Sequence, residues 1–529
     1  MKNLQKPAES ETLFDLEGST WWRQQLSPNA LRRLEEGWQG VFQRTILKLL
    51  GKPAEALGEA FDEELGRPSK ELYAMSGLLL IAEFKDWTIE QAAEEWTLNA
   101  GVQYALHLGR DRQYVSARTL DNYRRLLREK VDVQEIFTRV AAALVEELEL
   151  DIRKQRVDST HVLSAMAQLG RLQLLAVAVR RFLVQLKRRD ARGYDGLAES
   201  LRQRYEPAET RLFGMGGKPE QPRDQALGQV AQDLAWLVDR FEVGEVHRGW
   251  ASYQALERLL AEHCESKEDR TVGIRRQSRD AEGGSTQCLQ NPSDTGAGYS
   301  GHKGPGYQTQ LAQMLPPRDA DGHLEGPGLL TACVPQSAAV RDNEALPEIL
   351  AQQKAAGLLP EQMVADTLYG SDANVQRCGA LGVKLLSPVG GVEPKRQGEV
   401  RHWCSRAERE RKARLAQRRA EQETPEWRKE YAQRSGIEGV NRALDATTGA
   451  KQLRVRGTRA VIVAVSLKAT GWNILAAAKI RARRNRKARG RAAHPHPART
   501  SAQFRRPLQP RNASGHGHLR SGLRRRLPR

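Results

Sequence analysis

Cysteine is scarce and scattered. Cys264, Cys288, Cys333, Cys378 and Cys404 are the five among 529 residues, with no C-x-x-C pair. That excludes a disulfide framework and a zinc ribbon, and it fits a reducing cytoplasm. No stretch reads as the roughly 18 consecutive apolar residues that a membrane span needs. The opening "MKNLQKPAESETLFDLEG" lacks the basic-then-apolar layout of a secretory signal. Apolar residues are 39% and charged residues 28%, so the reading is a soluble chain of roughly two to four domains. The sharpest absence is acidic: no Asp or Glu follows Asp445. The net charge of +19 is therefore unevenly placed. From Arg481 onward stand 15 Arg and one Lys, which leaves 68 basic against 65 acidic side chains in the rest. The body is nearly neutral, and the tail 481–529 alone would bind a polyanion without sequence preference.

What is present is patterned. Residues 1–65 read as a polar leader with one amphipathic segment, "LRRLEEGWQGVFQRTILKLL". Over 66–150 the apolar residues of "SKELYAMSGLLLIAEFKDW" recur at helical spacing. Thr88 and Gln91 are placed as a capping box, and Ser116 or Thr119 opens a basic helix, "SARTLDNYRRLLREK". Short helices ending in a basic one fit a helix-turn-helix module or a plain helical bundle. "KQRVDST" alternates like a strand that delivers side chains to a site. A helical tract over about 163–265 follows, too long for a connection, and reads as an insertion. "GYQTQLAQML", "GLLTACVPQ", "EQMVADTLYG" and "GVKLLSPV" are candidate strands, with "ALPEILAQQKAAG" a helix ended by Gly357. Strands and helices alternate from Asp158 to Ile480, which argues for an α/β layer. The tail has neither periodicity nor acidic residues and reads as disordered, either a basic arm or the product of a shifted reading frame.

Three acids stand out. Asp158 and Asp366 end strands, and Glu438 sits in "YAQRSGIEGV", where Tyr431 and Arg434 share its helical face. Three converging carboxylates repel unless a cation joins them. Oxygen ligands suit Mg²⁺ or Mn²⁺, and two such ions clamp both oxygens of a phosphoryl displacement. Singly, an aspartate at a strand end more often caps a turn.

The order Asp, Asp, Tyr-x-x-Arg-x-x-x-Glu resembles the DDE transposases of bacterial insertion sequences. The blocks "VDSTHVLSAMAQLGRLQLL", "VPQSAAVRDNEALPEIL", "VADTLYGSDANV" and "EGVNRALDATTGAKQLRVRG" are similar to one branch of that group, and the similarity spans about residues 60–480. The resemblance implies an RNase H-like catalytic domain over 151–480, preceded by an all-α DNA-binding region. It implies that Asp158, Asp366 and Glu438 bind two Mg²⁺ or Mn²⁺ ions, and that Tyr431 and Arg434 contact the DNA strand. Lys303, with His302, would touch DNA backbone or serve the fold, and His161 would pack behind the site. The implied activity is cleavage and strand transfer at element ends. Double-stranded DNA would be the substrate of a dimer or larger assembly in a bacterial cytoplasm, on the nucleoid. Two features depart from the family's pattern. Asp445 stands where a basic residue is usual, seven positions after Glu438. The interval from Asp366 to Glu438 is only 72 residues, without the usual cysteine-bearing insert. Both read as signs of a decayed copy. Rival readings are a nuclease of the same fold without strand transfer, and a DNA-binding relic or repressor without catalysis.

Overall fold

The computed structural model describes residues 4–5, 22 and 24–493, except 63, 65–66, 109–113, 207–222, 267–271, 281–283 and 391–404. Its N-terminal part is helical. The segment read as a leader contributes α1 (Pro28–Glu36), started by Ser27 and a first-turn proline, and α2 (Gly51–Gly58). Then come α3 (Leu72–Phe84), α4 (Ile89–Leu98), α5 (Ala117–Lys130) and α6 (Val133–Glu147). The Thr88–Gln91 capping box starts α4, and Ser116 rather than Thr119 caps α5. Phe42, Leu57, Leu78, Trp96 and Leu120 lie in one hydrophobic core, so the leader packs with the helices that follow it.

The central sheet is built from β1 (Lys154–Val162), β2 (Gly298–Ser300), β3 (Gly304–Met314), β4 (Leu330–Ser337), β5 (Gln362–Val364) and β6 (Lys384–Leu386). Its main path runs β4-β3-β1-β5-β6, with β2 on the edge of β3. The first three strands are antiparallel, and β1, β5 and β6 are parallel. This mixed sheet flanked by helices is compatible with an RNase H-like domain. On one face α10 (Asp342–Ala355) covers Val157, Ala312 and Met363. The opposite face packs Val162, Tyr307 and Leu311 against two C-terminal helices.

Between β1 and β2 the chain makes the inserted helices α7 (Arg171–Arg189), α8 (Arg223–Phe241) and α9 (Ala251–His263). They bury a core of their own around Phe182, Leu234 and Tyr253.

After β6 come α11 (Arg406–Gln422), α12 (Pro425–Tyr431), α13 (Gly436–Thr448) and α14 (Thr458–Ala493). Helix α14 corrects two expectations. By length and hydropathy its Thr458–Arg489 segment could cross a membrane, although no such stretch was expected. In the fold 83% of its most apolar window is buried, as in a helix with protein on all sides. Leu467 and Ile474 face the helical core, while Val465 and Trp472 face the sheet. Gly471 lets α3 approach, since a Cβ there would lie 1.9 Å from that of Phe84. Second, the stretch read as a disordered tail begins as helix and stays helical to Ala493. Arg, Ala and Lys are strong helix formers, and Arg481 and Arg484 pair with Glu147 and Glu325 at 3.0 and 2.7 Å. Residues 494–529 of that expectation lie outside the described residues.

Candidate active site

Register explains how two of the three acids meet. Arg156 of β1 pairs with Val364 of β5 in parallel. Two residues further on stand Asp158, in the middle of β1 rather than at its end as expected, and Asp366, two residues past the end of β5. Side chains two apart share a face of the sheet, so the pair emerges side by side where β5 ends. Burial raises the Asp158 carboxyl to about 6; Arg434 and Lys303 oppose this, and Asp366 adds to it. The Asp366 carboxyl is also raised, first by burial, with further push from Asp342 and relief from Arg434. Asp366 performs the ordinary task as well, because its Oδ1 accepts the Leu368 N–H at 2.9 Å and starts a tight turn.

Glu438 reaches this pair through a cation. Arg434 lies 3.8 Å from Asp158 Oδ1 and 3.6 Å from Glu438 Oε1. Glu438 itself is 69% exposed, against 13% for Asp158. Asn441, one turn past Glu438, donates to Asp158 Oδ2 at 3.1 Å. Tyr431 stacks on Trp427 with centroids 4.7 Å apart. Burial raises its phenol, Arg434 lowers it, and Asp366 and Asp158 raise it further, so the ring lies in the same field.

The single helical face expected for Tyr431, Arg434 and Glu438 is not what forms. Tyr431 ends α12, Arg434 lies in a 3₁₀ turn over Ala432–Ser435, and Glu438 is in the first turn of α13. The break has a cause in β1. Buried Arg156 donates Nη1 to the Gln433 carbonyl at 3.1 Å and Nε to Gln313 Oε1 at 2.9 Å. Gly436 admits this guanidinium, since a Cβ there would lie 1.9 Å from Nη1. Burial lowers Arg156 to about 10. No carboxylate pairs with it among the described residues.

Lys303 is held inside the site. Its Nζ donates to Ser159 Oγ at 2.5 Å and to Gln308 Oε1 at 3.1 Å. Ser159 donates in turn to Asp342 Oδ2 at 3.0 Å, and Gln310 Nε2 donates to Asp342 Oδ1 at 2.8 Å. Tyr369 closes the network by donating to Gln310 Oε1. Asp342, buried in the first turn of α10, was missed from sequence; an acid opening a helix looks like ordinary capping. Arg156 and Asn441 were missed too. Their signals were a lone arginine inside an alternating strand and an amide three residues after Glu438. His302 is exposed, and His161 buries both ring nitrogens without a partner among the described residues. Asp445 Oδ1 accepts the Lys451 N–H at 2.9 Å and closes the turn after α13.

The carboxylates fit a divalent cation in chemistry. Two desolvated aspartates already share their site with an arginine, and oxygen donors suit Mg²⁺ or Mn²⁺. A separate group, Asp319, Asp321 and His323, has its ligand atoms within 4.8 Å of one another. It lies on the β3–β4 connection, where Asp319 Oδ1 accepts the Asp321 and His323 N–H groups.

No curated protein and no solved structure matches the chain. Residues 395–477 match the family described as "Transposase DDE domain". That segment contains Tyr431, Arg434 and Glu438, of which Arg434 lies 3.8 Å from Asp158. Over residues 395–477 the chain is thus similar to the transposase DDE domain, which supports a DDE transposase.

Proposed function

We propose that the protein is a metal-dependent transposase that cuts DNA at the ends of its element and joins the freed 3′-hydroxyl to target DNA. The observation that supports this is that Asp158 and Asp366 lie in one electrostatic field, with Arg434 linking Asp158 to Glu438. Mg²⁺ or Mn²⁺ held by these three carboxylates would supply Lewis-acid stabilisation for phosphoryl transfer. The chain's own residues do the rest. Arg434, now between Asp158 and Glu438, has the planar fork that binds phosphate, and on DNA it turns to the scissile strand. Tyr431, braced by Trp427, gives a half-buried ring against the sugar and base. Lys303 stays on Ser159 and keeps a fixed positive charge beside Asp158. Two ends have to meet before joining, so a dimer or higher assembly on DNA belongs to this reading, as does DNA contact by α3–α6.

The test uses duplexes made from the sequences flanking the coding region, with purified full-length protein. With Mg²⁺, the expected result is nicking at one defined end and joining of a pre-cut end to plasmid DNA, both lost in D158N. Cutting without joining leaves only a nuclease. Binding with no cutting, unchanged by D158N, leaves a DNA-binding protein without chemistry.

A further inference from the structure

The insertion carries a cationic face that the reaction above does not use. Helix α7 points Phe182, Leu183 and Leu186 into the insertion's core and turns Arg180, Arg181, Val184 and Arg188 outward. These line a groove of ≈ 570 Å³ that Arg189 and Ser252 complete, and no carboxylate among the described residues lines it. Arg181 donates to Ser293 Oγ at 2.6 Å. Its guanidinium is lowered, first by burial and then by the charge of Arg456, so a further cation faces it. Arg180 and Arg188 have no partner among the described residues.

Some arginines on other helices are paired with carboxylates. On α5, Arg124 pairs with Asp121 at 2.5 Å and Arg125 with Glu129 at 2.8 Å. On α11, Arg406 pairs with Glu410 at 2.9 Å and Arg414 with Asp372 at 2.7 Å. The α7 face gathers like charges and leaves them uncompensated, a destabilising arrangement in isolation and a favourable one against a polyanion. At a rise of 1.5 Å per residue, Arg180 and Arg188 stand roughly 12 Å apart along α7, comparable to the width of the major groove.

We infer that this face of α7 binds the phosphate backbone of duplex DNA outside the reacting site. The inference rests on the transposase reading and extends it to the insertion, which would hold a length of duplex while the sheet holds the scissile strand. Charge complementarity selects the occupant: the arginines lie on one helical face, and no carboxylate among the described residues lines the groove beside them.

Fluorescence anisotropy tests this with full-length protein and a 40-base-pair duplex of random sequence, titrated over salt. The triple variant R180Q/R181Q/R188Q should bind more weakly at low salt. Its slope of log K against log salt should be shallower by about 2.7, at about 0.9 for each phosphate no longer neutralised. The charge-keeping variant R180K/R181K/R188K should restore most of that slope. Circular dichroism and a melting curve like those of the wild type confirm that the three outward positions leave the fold intact. An unchanged slope in the glutamine variant, with wild-type DNA binding intact, overturns the inference and leaves the transposase reading standing. Loss of polyglutamate binding with DNA binding unchanged assigns the face to an acidic protein and equally overturns it. A wild-type chain that does not bind duplex DNA overturns both.

Discussion

At Asp158 two demands conflict. The residue is buried beside another carboxylate, and that is a cost in a protein without bound cation. Folded, it keeps its proton to about pH 6, while in the unfolded chain it loses it near the ordinary value of 3.8. The folded state binds more protons between those values, so this group makes stability fall as pH rises through that window. D158N removes the penalty. In urea denaturation with chelator present, D158N should exceed the wild type by on the order of 1–3 kcal/mol at pH 7.5 and by little at pH 4. An equal gain at both pH values would show that the carboxyl is not raised. Arg434 is the counterpart. It sits within 4 Å of both Asp158 and Glu438, so it competes with any cation those carboxylates would hold. R434A should therefore tighten Mn²⁺ binding in calorimetry without DNA while weakening DNA cleavage. Weaker Mn²⁺ binding would instead make Arg434 a scaffold of the metal site.

Among the elements, the one that sets the site's geometry is the 3₁₀ turn between α12 and α13. It depends on Arg156 reaching the Gln433 carbonyl and on Gly436 leaving room for it. G436A places a methyl against that guanidinium and should cost about 1–3 kcal/mol. DNA cleavage should fall more than this loss of stability explains, because Arg434 and Glu438 move with the turn; cleavage unchanged at full folding would dissociate the turn from the site. A second element-scale device ties α14 to the sheet. Asn473 accepts from Leu330 N at 2.7 Å and donates to Leu330 O at 2.8 Å, replacing a missing strand at the start of β4. N473A leaves both backbone groups buried and unpaired and should destabilise by about 2 kcal/mol or more in urea. A change within about 0.5 kcal/mol would mean that water reaches them. The longer strands and most helix starts were legible, because alternation, capping side chains and Gly357 are local signals, whereas the short β2 fell in a stretch that reads as loop. The 3₁₀ break was not, since its cause is an arginine 277 positions away in sequence.

In the molecule as a whole, the sheet is where local and distant information meet. Asp366 was identifiable by its position just past a strand, Asp158 proved to lie in the middle of β1, and the resemblance gave the two a joint role. Their register is a property of β1 and β5 together and could not be read from either segment alone. Asp342 stayed hidden for the same reason: its neighbours Ser159 and Gln310 belong to other strands. Helix α14 was misjudged from local composition. Lys468 is buried in it, within 2.9 Å of Asp86, and such a residue shows how a helix with a membrane-like profile belongs to a protein interior. The insertion, with its own core, carries the cationic face of α7.

The central claim is that Asp158, Asp366 and Glu438 hold divalent cation together. Electron paramagnetic resonance of Mn²⁺ binding to the full chain tests it most directly, in a D321N/H323A background that removes the exposed turn group. D158N, D366N and E438Q should each weaken binding at least roughly tenfold, the loss expected when one of few carboxylate ligands goes. Wild-type Mn²⁺ affinity in any one of the three, E438Q above all, would contradict the shared site.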